Sequence, residues 1–186
     1  MDFVEYIPSD PNDGVSQWAV SINNQAKSAR VPPCALAAIV SRESEGENIL
    51  QRGVPPGPGA GAGLCQVTYG VRWGSLTAPT FFLDDNVYDL MEPSSNLYVA
   101  AKAFLLPAIV HCEVLRVLCP KTFAKFSPDI LFFAFAAYNS GYDSVRNALY
   151  LGQNPDDDTT DFYAKDTLSR YHLYVAASHA AQKVAA

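Results

Sequence analysis

The residue with the clearest chemistry to offer is Glu43, set in the stretch PPCALAAIVSRESEG from Pro32 to Gly46. Pro32 and Pro33 pre-set the backbone for a first helical turn, and Gly46 is well placed to end the helix. Between them Leu36, Ile39 and Val40 fall at i, i+3 and i+4, and the next position on that apolar stripe is Glu43. A carboxylate thus stands where a core residue is expected, in the last turn of a helix. Desolvation disfavours its anion and the negative end of the helix dipole repels it, so both favour the protonated acid. A carboxylic acid that keeps its proton near neutral pH is what general-acid catalysis requires. The competing reading is a structural glutamate paired with Arg42 or turned to solvent. The helix by itself leaves both open.

A second pair of polar groups follows the most apolar stretch. Ser127 suits an N-cap, Pro128 the first helical position and Asp129 the positive end of the dipole. The segment ILFFAFAA that comes next is apolar on every side, which predicts a helix through the middle of the domain. It runs into Tyr138, Asn139, Ser140 and Gly141, the last a left-handed stop. A hydroxyl and an amide therefore emerge from the end of a buried helix. They are either a cap with a satisfied tyrosine or part of a site.

The elements that would position these groups are mainly helical. A chain of 186 residues suits one domain, divided here into an irregular arm over residues 1–14 and a single domain over 15–186. Val15 to Arg30 reads as a first amphipathic helix carrying Trp18, Val20, Ile22 and Ala26. Arg52 to Gly63, RGVPPGPGAGAG, cannot be regular structure and reads as a loop at the rim of a cleft. No Gly-Lys-Ser/Thr closes it, so it is no phosphate cradle. Leu64 to Val71 predicts a short strand or extended turn, and Thr77 to Glu92 is mixed, with Asp84, Asp85 and Asp89 among aromatics. Ser94 or Ser95 is the expected cap of a helix through NLYVAAKAFLL, which Pro107 should kink or break before AIVHCEVLRVLC resumes. A short helix over Asp143 to Leu151, a solvated acidic turn over Asn154 to Asp161 and a last helix from Phe162 to about Lys183 complete the chain. The acidic turn lacks the spacing of a calcium loop.

Composition narrows the function classes. A net charge of -6 with no basic stripe argues against nucleic-acid binding. No run of about twenty uninterrupted apolar residues is present, so no transmembrane helix is expected. The start, MDFVEYIPSDPNDG, does not resemble a signal peptide, which implies another route of export, none, or a leader already removed. Ten Tyr and ten Phe fit a large core or a sugar cleft lined with rings. Cys34, Cys65, Cys112 and Cys119 show no zinc spacing and read as free thiols, mostly buried; Cys112 and Cys119 on one helix would sit about 10 Å apart, too far for a disulfide. His172 and His179 have no partner at metal-binding spacing. Neither a metal nor a cofactor is expected.

Four islands, SRESEG, GAGLCQV, FAAYNSG and FYAKD, occur in this order. Together they resemble the soluble lytic transglycosylase and goose-type lysozyme family, which cuts the glycan backbone of bacterial peptidoglycan. The resemblance extends from Val15 to Tyr174 and includes ARVPPCALAAIVSRES and PSSNLYVAAKAFL. It implies a mainly α, lysozyme-like domain with a substrate cleft between two lobes and at most a small β element. It also implies that Glu43 is the catalytic acid. Ser44 matches the small hydroxyl residue beside that acid, and Gly63, Leu64 and Gln66 match the second island, where Cys65 replaces the usual Met. Tyr138 and Asn139 match the residues beside the scissile bond, and Tyr163 matches the aromatic hydroxyl of the fourth island.

The departures separate two branches of that family. An inverting hydrolase needs a second carboxylate, roughly 6.5–9.5 Å from the acid, to activate water. Here no Asp or Glu occurs between Asn48 and Leu83, and Thr68 stands where one of the goose-type acids would follow Gln66-Val67. Unless Glu45, Glu47, Asp84 or Asp85 reaches in, the expected reaction is the transglycosylase one, which leaves a 1,6-anhydromuramic acid end and needs a single Glu. A hydrolytic goose-type or chitin-active enzyme is the alternative, and a non-catalytic glycan-binding or structural module of the same fold is a third reading. The expected partner is the peptidoglycan strand. The acidic balance suggests a protein held near the wall by other means, as within a phage particle or secretion machine.

Overall fold

The computed structural model describes residues 5–8, 13–53, 59–69 and 79–185. The rest of the N-terminal arm, part of the Pro/Gly-rich loop (54–58), and Gly70 and Val71 of the expected strand lie outside the described residues, as do 72–78 and Ala186. The described chain is mainly helical, with two small antiparallel hairpins.

Each helix forms where apolar periodicity and a start signal agree. After a single 3-10 turn at Ser16–Trp18, α1 (Ala19–Ala29) buries Ile22 and Ala26 and turns Val20 to solvent. In α2 (Pro33–Ser44), Pro32 is the extended N-cap and every residue from Pro33 to Val40 is buried. The helix stops at Glu45, which adopts a left-handed conformation itself (φ 55°), one residue before the expected Gly46. Gly46 is nonetheless required there. With φ at 85°, a Cβ would lie 1.9 Å from the Gly14 carbonyl oxygen, so the turn after α2 is packed backbone to backbone against the N-terminal segment. The Trp18 indole donates to the Gly46 carbonyl at 2.9 Å and pins the same turn.

The central rod begins with α3 (Pro93–Val99), passes through a π-helical turn at Ala100–Leu105 and continues as α4 (Leu106–Leu118). Pro107 therefore does not break the helix. The Leu106 amide reaches back five residues to Ala101, and the wider π turn gives the pyrrolidine ring the room an α turn would deny it. The cap also differs from expectation: Pro93 occupies the first helical position, so the cap is Glu92, whose carboxylate accepts from the Ser94 and Ser95 amides. At 26 residues and mean hydropathy 1.5, Pro93–Leu118 is long and apolar enough to cross a membrane. In the fold, its Val99, Ala100, Ala101, Leu105, Cys112 and Leu115 lie in the core.

A short α5 (Pro120–Phe126) leads to α6 (Ile130–Ser140), buried from Leu131 to Ala137 as its all-round apolarity requires. Its cap is Asp129, which accepts from the Leu131 amide at 2.9 Å, while the Ser127 hydroxyl accepts from the Asp129 amide. The helix therefore starts two residues later than its sequence suggests, because the carboxylate is the stronger cap acceptor at the positive end of the dipole. Next come α7 (Tyr142–Leu151) and, after two 3-10 turns, α8 (Tyr163–Ala185). α8 packs against both α2 and α6 and so joins the two helices whose ends carry Glu43 and Tyr138.

Two polar residues hold this frame. The acidic turn is not solvated throughout: Asp156 is 2% exposed and accepts from the Ala164 amide at 2.7 Å, the Lys165 amide at 3.1 Å and the Thr159 hydroxyl at 2.6 Å. One carboxylate of the run thus caps the start of α8, which its like-charged neighbours disguise in sequence. Asn96 of α3 is fully buried and holds the first hairpin, β1 (Gly61–Ala62) with β2 (Val67–Thr68). It donates to the Ala62 and Leu90 carbonyls and accepts from the Cys65 amide at 2.8 Å. The second hairpin, β3 (Thr80–Leu83) with β4 (Asn86–Asp89), turns through Asp84 and Asp85, both at positive φ. The N-terminal segment is likewise anchored, with Ile7 in the core and its backbone bracketed by the Asn23 amide. All four cysteines are free, and Cys34, Cys65 and Cys112 are buried. Replacing Asn96 with Ala removes three buried hydrogen bonds and should cost about 3 kcal/mol of stability, read as a lower denaturation midpoint in urea.

Candidate active site

A cavity of about 510 Å³ opens between the end of α2, the segment after it, the β1–β2 hairpin and the end of α6. That size suits a small ligand or a few sugar rings, within the roughly 300–1,000 Å³ usual for binding sites. Its floor at α2 carries Glu43 and Glu45, with Arg42 alongside; Tyr138 and Asn139 face them from α6. Gln66 and Thr68 come from the hairpin, and Gly59, Gly61 and Arg52 from the described part of the Pro/Gly-rich loop. The wall is polar. Among the described residues Tyr138 is its one aromatic ring, while Phe123, Phe133 and Phe135 are core residues, so most of the aromatic wealth serves packing.

Glu43 is half-buried, and its Oε1 accepts a 2.6 Å hydrogen bond from the Tyr163 hydroxyl of α8. Burial pushes its carboxyl above the ordinary carboxylate range; the Tyr163 bond and the charge of Arg42 pull it back part of the way. The loss of hydration dominates because the groups around the acid are neutral or committed elsewhere. Tyr163 is 2% exposed, and its phenol is held protonated far above its usual range, by burial first and by the Glu43 charge second. Arg42 forms its ion pair not with Glu43 but with Asp166 of α8, at 3.2 Å.

The other residues singled out in the sequence divide into two groups. Tyr138, Asn139 and Gln66 meet Glu43 around the cavity. The Tyr138 hydroxyl donates to the Cys65 carbonyl at 3.0 Å, locking the end of α6 onto the hairpin turn. Asn139 accepts from the Thr160 amide at 3.0 Å, tying the same helix end to the approach of α8. Gln66, with φ at 47°, donates to the Gly63 and Ile49 carbonyls. Gly63 and Leu64 are buried and act on the frame, and Ser44, also buried, does so while bordering the cavity. The Ser44 hydroxyl donates to the Leu64 carbonyl at 2.7 Å, stitching the helix end to the hairpin. A Cβ on Gly63 (φ 74°) would come within 2.3 Å of the Asn96 side chain and the Leu90 carbonyl, so no other residue fits.

Ile49 and Gln51 also line the cavity, and the sequence reading passed over both. The signal was period two: Leu50 pairs with Ala62 in an isolated bridge, which leaves its neighbours on the same side, toward the site. Of the acids considered as a second carboxylate, only Glu45 lines the cavity. Glu47 is ion-paired with Arg52, and Asp84 and Asp85 form the turn of the β3–β4 hairpin. Among the described residues no group of three or more His, Cys, Asp or Glu side chains could hold a metal ion. Compared with known families and characterised proteins, the sequence gives no match to a family model and none to a curated protein.

The raised Glu43 titration makes a stability prediction. Because the folded state binds this proton more tightly than the unfolded chain, stability is greatest below the unfolded carboxyl range and is lost as pH rises through the folded value. E43Q, which carries no proton to lose, should therefore be at least as stable as the wild type at neutral pH, with the advantage closing as pH falls below the ordinary carboxylate range. Thermal denaturation of both proteins across that pH window checks the sign.

Proposed function

We propose that the protein cleaves the β-1,4 bond between N-acetylmuramic acid and N-acetylglucosamine in peptidoglycan, as a lytic transglycosylase of lysozyme-like fold with its substrate cleft at the Glu43 cavity. The observation that carries this reading is Glu43 itself: one desolvated acid, hydrogen-bonded by a buried tyrosine, on the wall of a polar cavity shared with Tyr138, Asn139 and Gln66. The four sequence islands that resemble the transglycosylase and goose-type lysozyme family supply these residues in family order.

In the proposed reaction Glu43 gives its proton to the bridging oxygen, and the bond to the muramic acid C1 breaks. The oxocarbenium ion that develops is stabilised by the substrate's acetamido group and by dipoles near Tyr138. Glu43, now a carboxylate, takes the proton from the muramic acid O6, which closes onto C1. Proton and electron pairs balance without a water molecule, and the nucleophile is already in place, which removes an entropic barrier.

Glu45 supports a second reading. It borders the same cavity, and among the described residues it is the one carboxylate there besides Glu43 that could activate water for inverting hydrolysis. Two substitutions separate the readings, scored by release of soluble muropeptides. E43Q should lower turnover about 100-fold or more while retaining glycan binding. E45Q should leave turnover within a few-fold of wild type if Glu43 works alone, and should abolish it if Glu45 readies a water. An E43Q protein as active as wild type, or a wild type that binds glycan without cleaving it, would overturn catalysis and leave a binding module.

A further inference from the structure

Glu43 has a cationic neighbour on its own helix, and that cation is held elsewhere. Arg42 lies over the ring of Tyr163 with its guanidinium carbon 5.4 Å from the centroid, and its Nε meets Asp166 Oδ2 at 3.2 Å. The same Asp166 oxygen accepts from Arg170 Nε at 3.0 Å, and Arg170 is itself fixed by the Ser41 hydroxyl at 2.8 Å and the Ser41 carbonyl at 3.1 Å. The Arg42 side chain is 24% exposed and borders the cavity that Glu43 lines. One carboxylate one turn into α8 thus hydrogen-bonds Arg170 and pairs by charge with Arg42. Arg42 Nη2 also donates to the Thr160 carbonyl at 3.4 Å, and Arg42 covers the tyrosine that hydrogen-bonds the acid.

We propose that Asp166 is a positioning residue that diverts Arg42 from Glu43, keeping the guanidinium stacked on Tyr163 so that the acid is never locked in a direct ion pair. The proposal rests on the reading of Glu43 as the proton donor. A direct Arg42–Glu43 pair would hold the carboxylate in its charged form, which is useless to a group that must deliver a proton. Removing the arginine altogether is no remedy within this arrangement, since the planar cation also packs the Tyr163 ring against the end of α2. Among the described residues, the charged and titratable groups facing Glu43 are Arg42 and Glu45 from its own helix end, Tyr163 from α8, Tyr138 from α6, and Cys65 from the hairpin turn, with Arg52 across the cavity. Tyr163 and Cys65 are buried and Tyr138 half-buried, all three held in their neutral forms, and Arg52 is paired with Glu47. Among the described residues Arg42 is therefore the cation whose placement decides the charge state of the acid.

The test is the titration of the Glu43 side-chain carboxyl by carbon-13 NMR, assigned by its absence in E43Q, in the wild type and in D166N, R42Q, R170Q and the double variant R42Q/D166N. In D166N the released guanidinium should reach Glu43 and move its titration to lower pH. In R42Q the titration should move to higher pH. The double variant should follow R42Q, because Asp166 acts only through Arg42, and R170Q, which leaves the Arg42–Asp166 pair intact, should leave Glu43 where it is. The alkaline limb of kcat/KM against pH should shift in the same directions. An unmoved or raised Glu43 titration in D166N, a D166N effect that persists in the R42Q background, or an equal shift in R170Q would overturn the proposal. R42Q stands by itself should D166N not fold, since an unmoved or lowered titration there also overturns it. The carboxyl titration reads without substrate, so a failure of the cleavage reading is distinguishable from a failure of the positioning.

Discussion

The contact on which the rest of the site depends is the hydrogen bond from the buried Tyr163 hydroxyl to the Glu43 carboxyl. It joins the end of α2 to the start of α8, and it fixes the orientation of an acid that burial alone would leave protonated but unaimed. Two opposed effects meet there. Loss of hydration favours the protonated form, while the phenol and the nearby guanidinium favour the anion, and hydration wins because the phenol is neutral and the guanidinium is engaged by Asp166. A general acid must both keep its proton and release it, so a partial balance serves it better than either extreme.

The surrounding architecture is a set of backbone ties that keep this balance in place. Ser44, Asn96, Tyr138 and Asn139 each bind backbone groups of a different element, and Gly63 and Gly46 allow two close approaches that a side chain would block. Several of these residues were expected to meet substrate directly. They also serve the frame: the hairpin is carried on the buried side chain of Asn96, and the end of α6 is locked to it through Tyr138. The same residues can thus hold the walls of a cavity and line it.

Much of the helical framework was legible in the sequence, for physical reasons. In α2 and α6 the apolar spacing is unbroken and flanked by proline or a capping acid, so both helices and the placement of Glu43 and Tyr138 at their ends follow from local pattern. What stayed hidden depends on long-range partners. Asp156 looks like its solvated neighbours until the amides of α8 arrive; Asn96 looks like any polar helix residue until a hairpin forms above it. The π turn before Pro107 and the β3–β4 hairpin, turned by two aspartates at positive φ where Gly or Asn would advertise it, give no strong local signal. The second cavity carboxylate, Glu45, points to the site because the helix ends one residue early, at a left-handed glutamate.

The central claim is that one carboxyl group, Glu43, breaks a sugar–sugar bridge without the help of an activated water. Digestion of purified peptidoglycan by the wild-type protein in oxygen-18 water, followed by mass spectrometry of the released glycans, tests it most directly. The account predicts fragments one water lighter than hydrolysed ones, with anhydro ends and no heavy oxygen. Reducing ends that all carry oxygen-18 would contradict it.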